Sequence, residues 1–135
     1  MSDAAVRTAR CTCGTLSAVC RGEPPRVSVC NCLDCMRRTG SAFAWNATYA
    51  EDQVVLSGEA ASFTRTGDEG RWCTFHFCPE CGDTLWYRIE ARRGMVTIPA
   101  GAFADPGFPE PTVSVYGERR SPWVKIEPSG GLTEY

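Results

Sequence analysis

Hydrophobic and polar positions along this chain alternate in short bursts and only once recur at helical spacing. Period-two alternation or β-branched enrichment predicts strands over 6–10, 15–20, 26–30, 41–48, 53–57, 60–66, 71–77, 84–89, 95–99 and 112–116. Of these, 71–77 carries the strongest signal. The turn-rich Arg21-Gly22-Glu23-Pro24-Pro25 separates the second strand from the third, and 66–70 forms another turn. One short helix is predicted over 32–39, ended by Gly40. The Pro/Gly-rich stretch 101–111 reads as a surface excursion that covers or borders a site. Short strands with almost no helix predict a mainly β domain.

Composition sharpens this picture. With 135 residues, 13 of them glycine and 9 proline, the chain suits many short elements in one domain. That domain is expected over 6–126, with a flexible leader at 1–5 and a frayed tail at 127–135. Fourteen basic side chains against sixteen acidic ones give a net charge of −2, which offers no general attraction to nucleic acid. No run has the length and apolarity of a membrane span, so no membrane partner is expected. The start, MSDAAVRTAR, lacks an apolar signal core, and the expectation is a cytoplasmic protein with reduced thiols. Monomer and homodimer both stay open.

The chemistry lies in the nine cysteines. Seven fall into three groups: Cys11-Thr12-Cys13-Gly14, Cys30-Asn31-Cys32-Leu33-Asp34-Cys35 and Cys78-Pro79-Glu80-Cys81-Gly82. Two thiolates separated by two residues grip one face of a zinc ion, and a following glycine accepts the tight backbone. Such a pair fills half a tetrahedron. Cys11 and Cys13 are the natural complement to Cys78 and Cys81, making a closed structural site. Cys30, Cys32 and Cys35 then remain as three ligands with a vacancy, the arrangement of catalytic zinc. Thiolate donation blunts Lewis acidity, so such a centre suits a sulfur ligand better than water. Cys20, Cys73 or His76 could instead close that second shell, or the middle cluster could be a free, redox-active group. Cys20 and Cys73 sit at strand positions suited to buried small hydrophobes. His76 alternates with Trp72 and Thr74, opposite Cys73, Phe75 and Phe77, and is the only histidine able to move a proton near neutrality.

With these cysteines stand Arg37-Arg38-Thr39-Gly40 after the middle cluster, Phe75-His76-Phe77 before the last, and Glu118-Arg119-Arg120-Ser121-Pro122-Trp123 near the end. In order and spacing, from about residue 6 to about 125, the chain resembles the glutathione-dependent formaldehyde-activating family, which includes centromere protein V-like domains. The resemblance implies small twisted antiparallel sheets arranged like a tent around zinc, as in Mss4-like proteins. It implies a structural zinc on Cys11, Cys13, Cys78 and Cys81, and a reactive one on Cys30, Cys32 and Cys35. The implied activity is a carbon–sulfur lyase, or the reverse joining of glutathione to formaldehyde as S-hydroxymethylglutathione. Family members often carry a histidine just before the first cysteine pair; Arg10 stands there in this chain. Glutathione or another small thiol adduct carries carboxylates, for which Arg37 and Arg38 are the first candidates and Arg119 and Arg120 the second. His76 is the candidate proton carrier. The alternatives are a zinc-stabilised protein-binding module without turnover and a thiol redox or metal-buffering protein.

Overall fold

The computed structural model describes residues 5–67 and 69–135, so most of the predicted leader lies outside the described residues. The protein is mainly β. Among the described residues eleven strands run β1 (Val6–Arg10), β2 (Ser17–Arg21), β3 (Arg26–Cys30), β4 (Ala44–Ala50), β5 (Val54–Ser57), β6 (Ala61–Thr66), β7 (Trp72–Phe77), β8 (Thr84–Ile89), β9 (Met95–Pro99), β10 (Val113–Val115) and β11 (Thr133–Glu134). The helix α1 spans Leu33–Thr39. Cys32 caps its start, its sulfur accepting from the Cys35 N–H, and Gly40 ends it at φ 63°, a conformation that favours glycine. None of the described helices is long and apolar enough to cross a membrane.

Two open sheets lean together like the sides of a tent. The smaller has the order β1-β2-β5, and the larger β11-β10-β3-β4-β9-β8-β7-β6. Pairing is antiparallel except at one edge, where β10 runs parallel to both β3 and β11. Strand periodicity then separates two environments. Ala9, Leu16, Ala18 and Cys20 from the smaller sheet's side meet Val27, Ala47, Tyr49, Val96 and Ile98 of the larger one in a buried apolar layer. The alternate positions on the larger sheet are polar. Ser28, Asn46, Thr48 and Thr97 share its other face and are buried too, with the Thr48 and Thr97 hydroxyls 3.1 Å apart.

One segment departs from expectation, and the end of the chain adds contacts of its own. The stretch 101–111 does not simply run over the surface, because Phe103 and Phe108 are buried and stack at 4.5 Å between ring centres. Phe108 also meets the Trp45 ring edge-on, so this irregular segment plugs one end of the apolar layer. The last residues make contacts with the rest of the domain. Ser129 binds Glu110, β11 pairs with β10, and Glu134 takes the Arg120 guanidinium at 3.0 and 3.1 Å.

Candidate metal centres and cleft

Two groups of cysteines come together, each with sulfurs within 4.8 Å of one another: Cys11, Cys13, Cys78 and Cys81, and separately Cys30, Cys32 and Cys35. Four sulfurs held ~2.3 Å from one zinc in a tetrahedron lie about 3.8 Å apart. The separations of 3.7 Å for Cys11–Cys13 and 3.5 Å for Cys13–Cys78 match that demand, so the first set fits a closed zinc site. Its local folding follows from the two knuckles. Gly14 and Gly82 take φ of 82° and 85°, which frees backbone N–H groups to turn inward. Leu16 N–H donates to Cys11 Sγ at 3.2 Å, and Glu80 and Cys81 N–H to Cys78 Sγ at 3.4 and 3.5 Å. The Thr15 hydroxyl is the main reason the Cys13 thiol is lowered to about 6.

Asp83 joins the two knuckles, which sequence reasoning missed although it directly follows the Cys81-Gly82 turn. Its carboxylate accepts from the Thr12 N–H at 2.7 Å and hydroxyl at 2.6 Å, across 71 residues of chain. Asp83→Ala leaves that N–H with only solvent to pair with. Its expected cost is about 0.5–1.5 kcal/mol in denaturant unfolding, with zinc content unchanged; a midpoint equal to the parent's would refute the bridging role.

The second set is built differently. Cys30 ends β3, and Cys32 and Cys35 sit on the cap and first turn of α1, with the Cys35 N–H 3.3 Å from Cys32 Sγ. Asn31 between them is fully buried, and its amide donates to Ser114 Oγ at 3.1 Å and to the Val115 carbonyl at 2.9 Å. Arg120 completes this support, donating to Asn31 Oδ1 at 3.1 Å and Ser114 Oγ at 2.7 Å while Glu134 holds its far side. Arg120, a second-rank candidate for carboxylate binding, thus positions the cysteine pair from behind. Cys32 is held far below the usual thiol range, first by the hydrogen bond from Cys30 and then by that from Cys35; Cys30, as donor, is driven up. A soft, three-thiolate donor set with one face free fits zinc that keeps an open position.

That free face meets a cleft of about 420 Å³. Its floor is the polar side of the larger sheet, including Ser28, Asn46, Thr48 and Thr97, with Cys73, Phe75 and Tyr87 beside them. Arg65, absent from the sequence-based candidates, lines the cleft, pairs with Asp34 at 2.9 Å and lies 5.2 Å from the Phe75 ring centre. Sequence alone gave no sign of it, since β6 reaches the cluster only through sheet pairing. Arg38 stacks on the neighbouring rings, 4.9 Å from Phe75 and 5.2 Å from Tyr87, with Nε and Nη2 buried and unpaired. Its charge favours the Cys35 thiolate. Arg37 turns outward, its side chain 79% exposed and paired with Asp34, and lies outside the cleft lining.

His76 does not join the cluster. It stacks on Trp86 at 5.1 Å, on the opposite side of β7 from the cleft-lining Cys73 and Phe75. Burial and then Arg88 hold its imidazole below the usual value. Strand register thus places His76 outside both cysteine groups and outside the cleft lining. Cys20 is fully buried in the apolar layer, where burial pushes its thiol up to about 11. Cys73 lines the cleft without joining either cysteine group.

No curated protein matches the sequence. The fold is similar to the crystal structure of a Rhodobacter sphaeroides protein from structural genomics, at 14% identity and a TM-score of 0.55. That match covers 95% of this chain and 99% of the other. The family model described as glutathione-dependent formaldehyde-activating enzyme matches residues 6–119, a span that takes in both cysteine groups. With that match over most of its length, the chain belongs to the glutathione-dependent formaldehyde-activating enzyme family.

Proposed function

We propose that the protein is a zinc-dependent carbon–sulfur lyase, or in reverse an adduct synthase, acting on glutathione–aldehyde adducts such as S-hydroxymethylglutathione. The observation that carries this reading is the opening of Cys30, Cys32 and Cys35 onto a cleft whose lining mixes arginines, hydroxyls and aromatic rings. Zinc on these thiolates supplies a soft Lewis-acidic centre that favours the thiolate form of a substrate sulfur. In the joining direction the thiol S–H bond and the aldehyde C=O π bond break. A C–S bond forms, and the proton ends on the former carbonyl oxygen. The lyase direction reverses each change.

The chain's own residues do the rest. Arg38 and Arg65 offset the negative charge gathered at the thiolates, both held in place against the Phe75 ring. Phe75 and Tyr87 keep bulk water off the reacting carbon, where electrostatic contacts gain strength. The Tyr87 phenol, kept protonated by burial, donates a hydrogen bond toward the developing alkoxide in place of the expected His76.

The test is exchange spectroscopy with ¹³C-formaldehyde and glutathione, since the uncatalysed addition is itself quick. Protein is expected to raise the adduct exchange rate in proportion to its concentration, and chelation of its metal to remove the increment. An exchange rate independent of the protein would sink this reading.

A further inference from the structure

The larger sheet ends in β6, the longest of the four strands that end the two sheets. Among the described residues only β7 pairs with it, so its outer edge presents backbone N–H and C=O groups without a partner strand. Sheet edges are ordinarily guarded by proline, lysine or a bulge. β6 has none of these: Ala61-Ser62-Phe63-Thr64-Arg65-Thr66 pairs with β7 in unbroken register. Its one charge is no guard either, since Arg65 is drawn to Asp34 at 2.9 Å.

The side chains add a second observation. Phe63 lies opposite Phe75, and Phe75 opposite Tyr87, so the three form one aromatic row across the sheet. Phe75 and Tyr87 are buried, whereas Phe63, at the end of the row, is 62% exposed. On the reverse face the Thr64 and Thr74 hydroxyls meet at 2.8 Å, and Ser62 shares that face, exposed. Just before the strand Glu59 is exposed and, among the described residues, has no ion-pair partner.

Symmetry restricts how a second copy can add to this edge. A two-fold axis between two antiparallel strands runs perpendicular to the sheet, so odd positions oppose odd ones. Pairing centred on Thr64 sets Glu59 against Glu69, like charges face to face. Pairing centred on Ser62 sets Phe63 against Ala61 and keeps the two rings apart. Pairing centred on Phe63 opposes no like charges. It sets Phe63 against Phe63, Ser62 against Thr64 and Ala61 against Arg65. Glu59 then falls diagonal to Arg65 of the other copy, within reach of long side chains.

We propose that β6 is a dimerisation edge, on which a second copy of this chain pairs antiparallel through its own β6, centred on Phe63. The two larger sheets then join into one. The aromatic row continues across the axis, hydroxyl pairs flank it on the reverse face, and each Glu59 gains a cation. One edge strand makes a small interface, so the association is reversible. Nothing in this pairing rests on the lyase reading above.

Sedimentation equilibrium of the zinc-loaded full chain tests this, with the parent expected to pass from monomer to dimer as its concentration rises. Phe63→Lys is expected to weaken the association about 100-fold or more, because an anchoring aromatic is lost twice per dimer. Glu59→Arg turns two attractions into repulsions and is expected to weaken it about tenfold. Val55→Lys, at an exposed valine of the smaller sheet, should leave it unchanged. All three substitutions are at exposed side chains, and each variant should melt as the parent does at dilution. Amides of β6 are expected to exchange more slowly as the parent is concentrated, but not in Phe63→Lys. A parent that stays monomeric throughout overturns the proposal and leaves the edge to an extended segment of another protein. A dimer that survives Phe63→Lys, or forms without slowing exchange in β6, also overturns it by placing the contact elsewhere.

Discussion

Cys78→Ser is expected to leave the chain unfolded at room temperature, under conditions where the parent is expected to give a β-rich circular dichroism spectrum and dispersed amide resonances. Cys78 is fully buried within the apolar layer, 3.5 Å from Cys13 Sγ, and its sulfur takes two backbone N–H donors from the turn that follows it. Serine keeps the shape but offers a hard, neutral oxygen that binds zinc far less well than a thiolate does. Structural zinc contributes about 10–16 kcal/mol in small domains, whereas the net stability of a domain is about 5–15 kcal/mol. Losing most of that contribution removes the margin. A strong chelator should unfold the parent in the same way, and added zinc should restore the parent but not the variant. A Cys78→Ser chain that melts within a few degrees of the parent would show that packing alone holds the two sheets together.

The grouping of these cysteines was legible in the sequence because each knuckle is local. Two knuckles with a glycine after each are written in a few consecutive residues, as is the capped helix from Cys32 to Gly40. Strands with a clear alternation, such as Arg26–Cys30, Thr84–Ile89 and Met95–Pro99, fall where the pattern puts them. What could not be read is what only sheet pairing assembles. Arg65 reaches Cys32 because β6 joins β7 at the far edge, and nothing near Arg65 in sequence names that neighbour. His76 sits in a motif rich in ligands, yet the period of its strand turns it to the other face. The Thr133–Glu134 strand lies in a Pro/Gly-rich segment with no alternation of its own; it forms because β10 offers an edge and Arg120 offers Glu134 a partner. Phe103 and Phe108 were hidden in the same way inside an irregular stretch that looks exposed.

Cys32→Ser, by contrast, is expected to keep the fold and lose the chemistry. Cys32 is the N-cap of α1 and receives the Cys35 N–H on its sulfur. Serine is among the best N-cap residues and can accept that same bond, so the helix keeps its start. Asn31, held by Ser114, Val115 and Arg120, anchors the segment independently of the cysteines on either side of it. The melting temperature should therefore stay within a few degrees of the parent. The metal set, however, drops to Cys30 and Cys35, and two thiolates leave too little charge and too open a shell to retain zinc beside a competing chelator. Elemental analysis is expected to give two zinc ions per parent chain and one per variant chain, with catalysed adduct exchange reduced at least about 100-fold, as loss of a ligand exceeds the effect of losing a supporting contact. Together the two substitutions are expected to separate the centres, with loss of one cluster unfolding the chain and loss of the other leaving the fold in place. Two zinc ions and undiminished exchange in Cys32→Ser would mean that Cys73, on the same cleft wall, or a water completes the shell, and that the middle cysteines do not act as the three-ligand centre assigned to them.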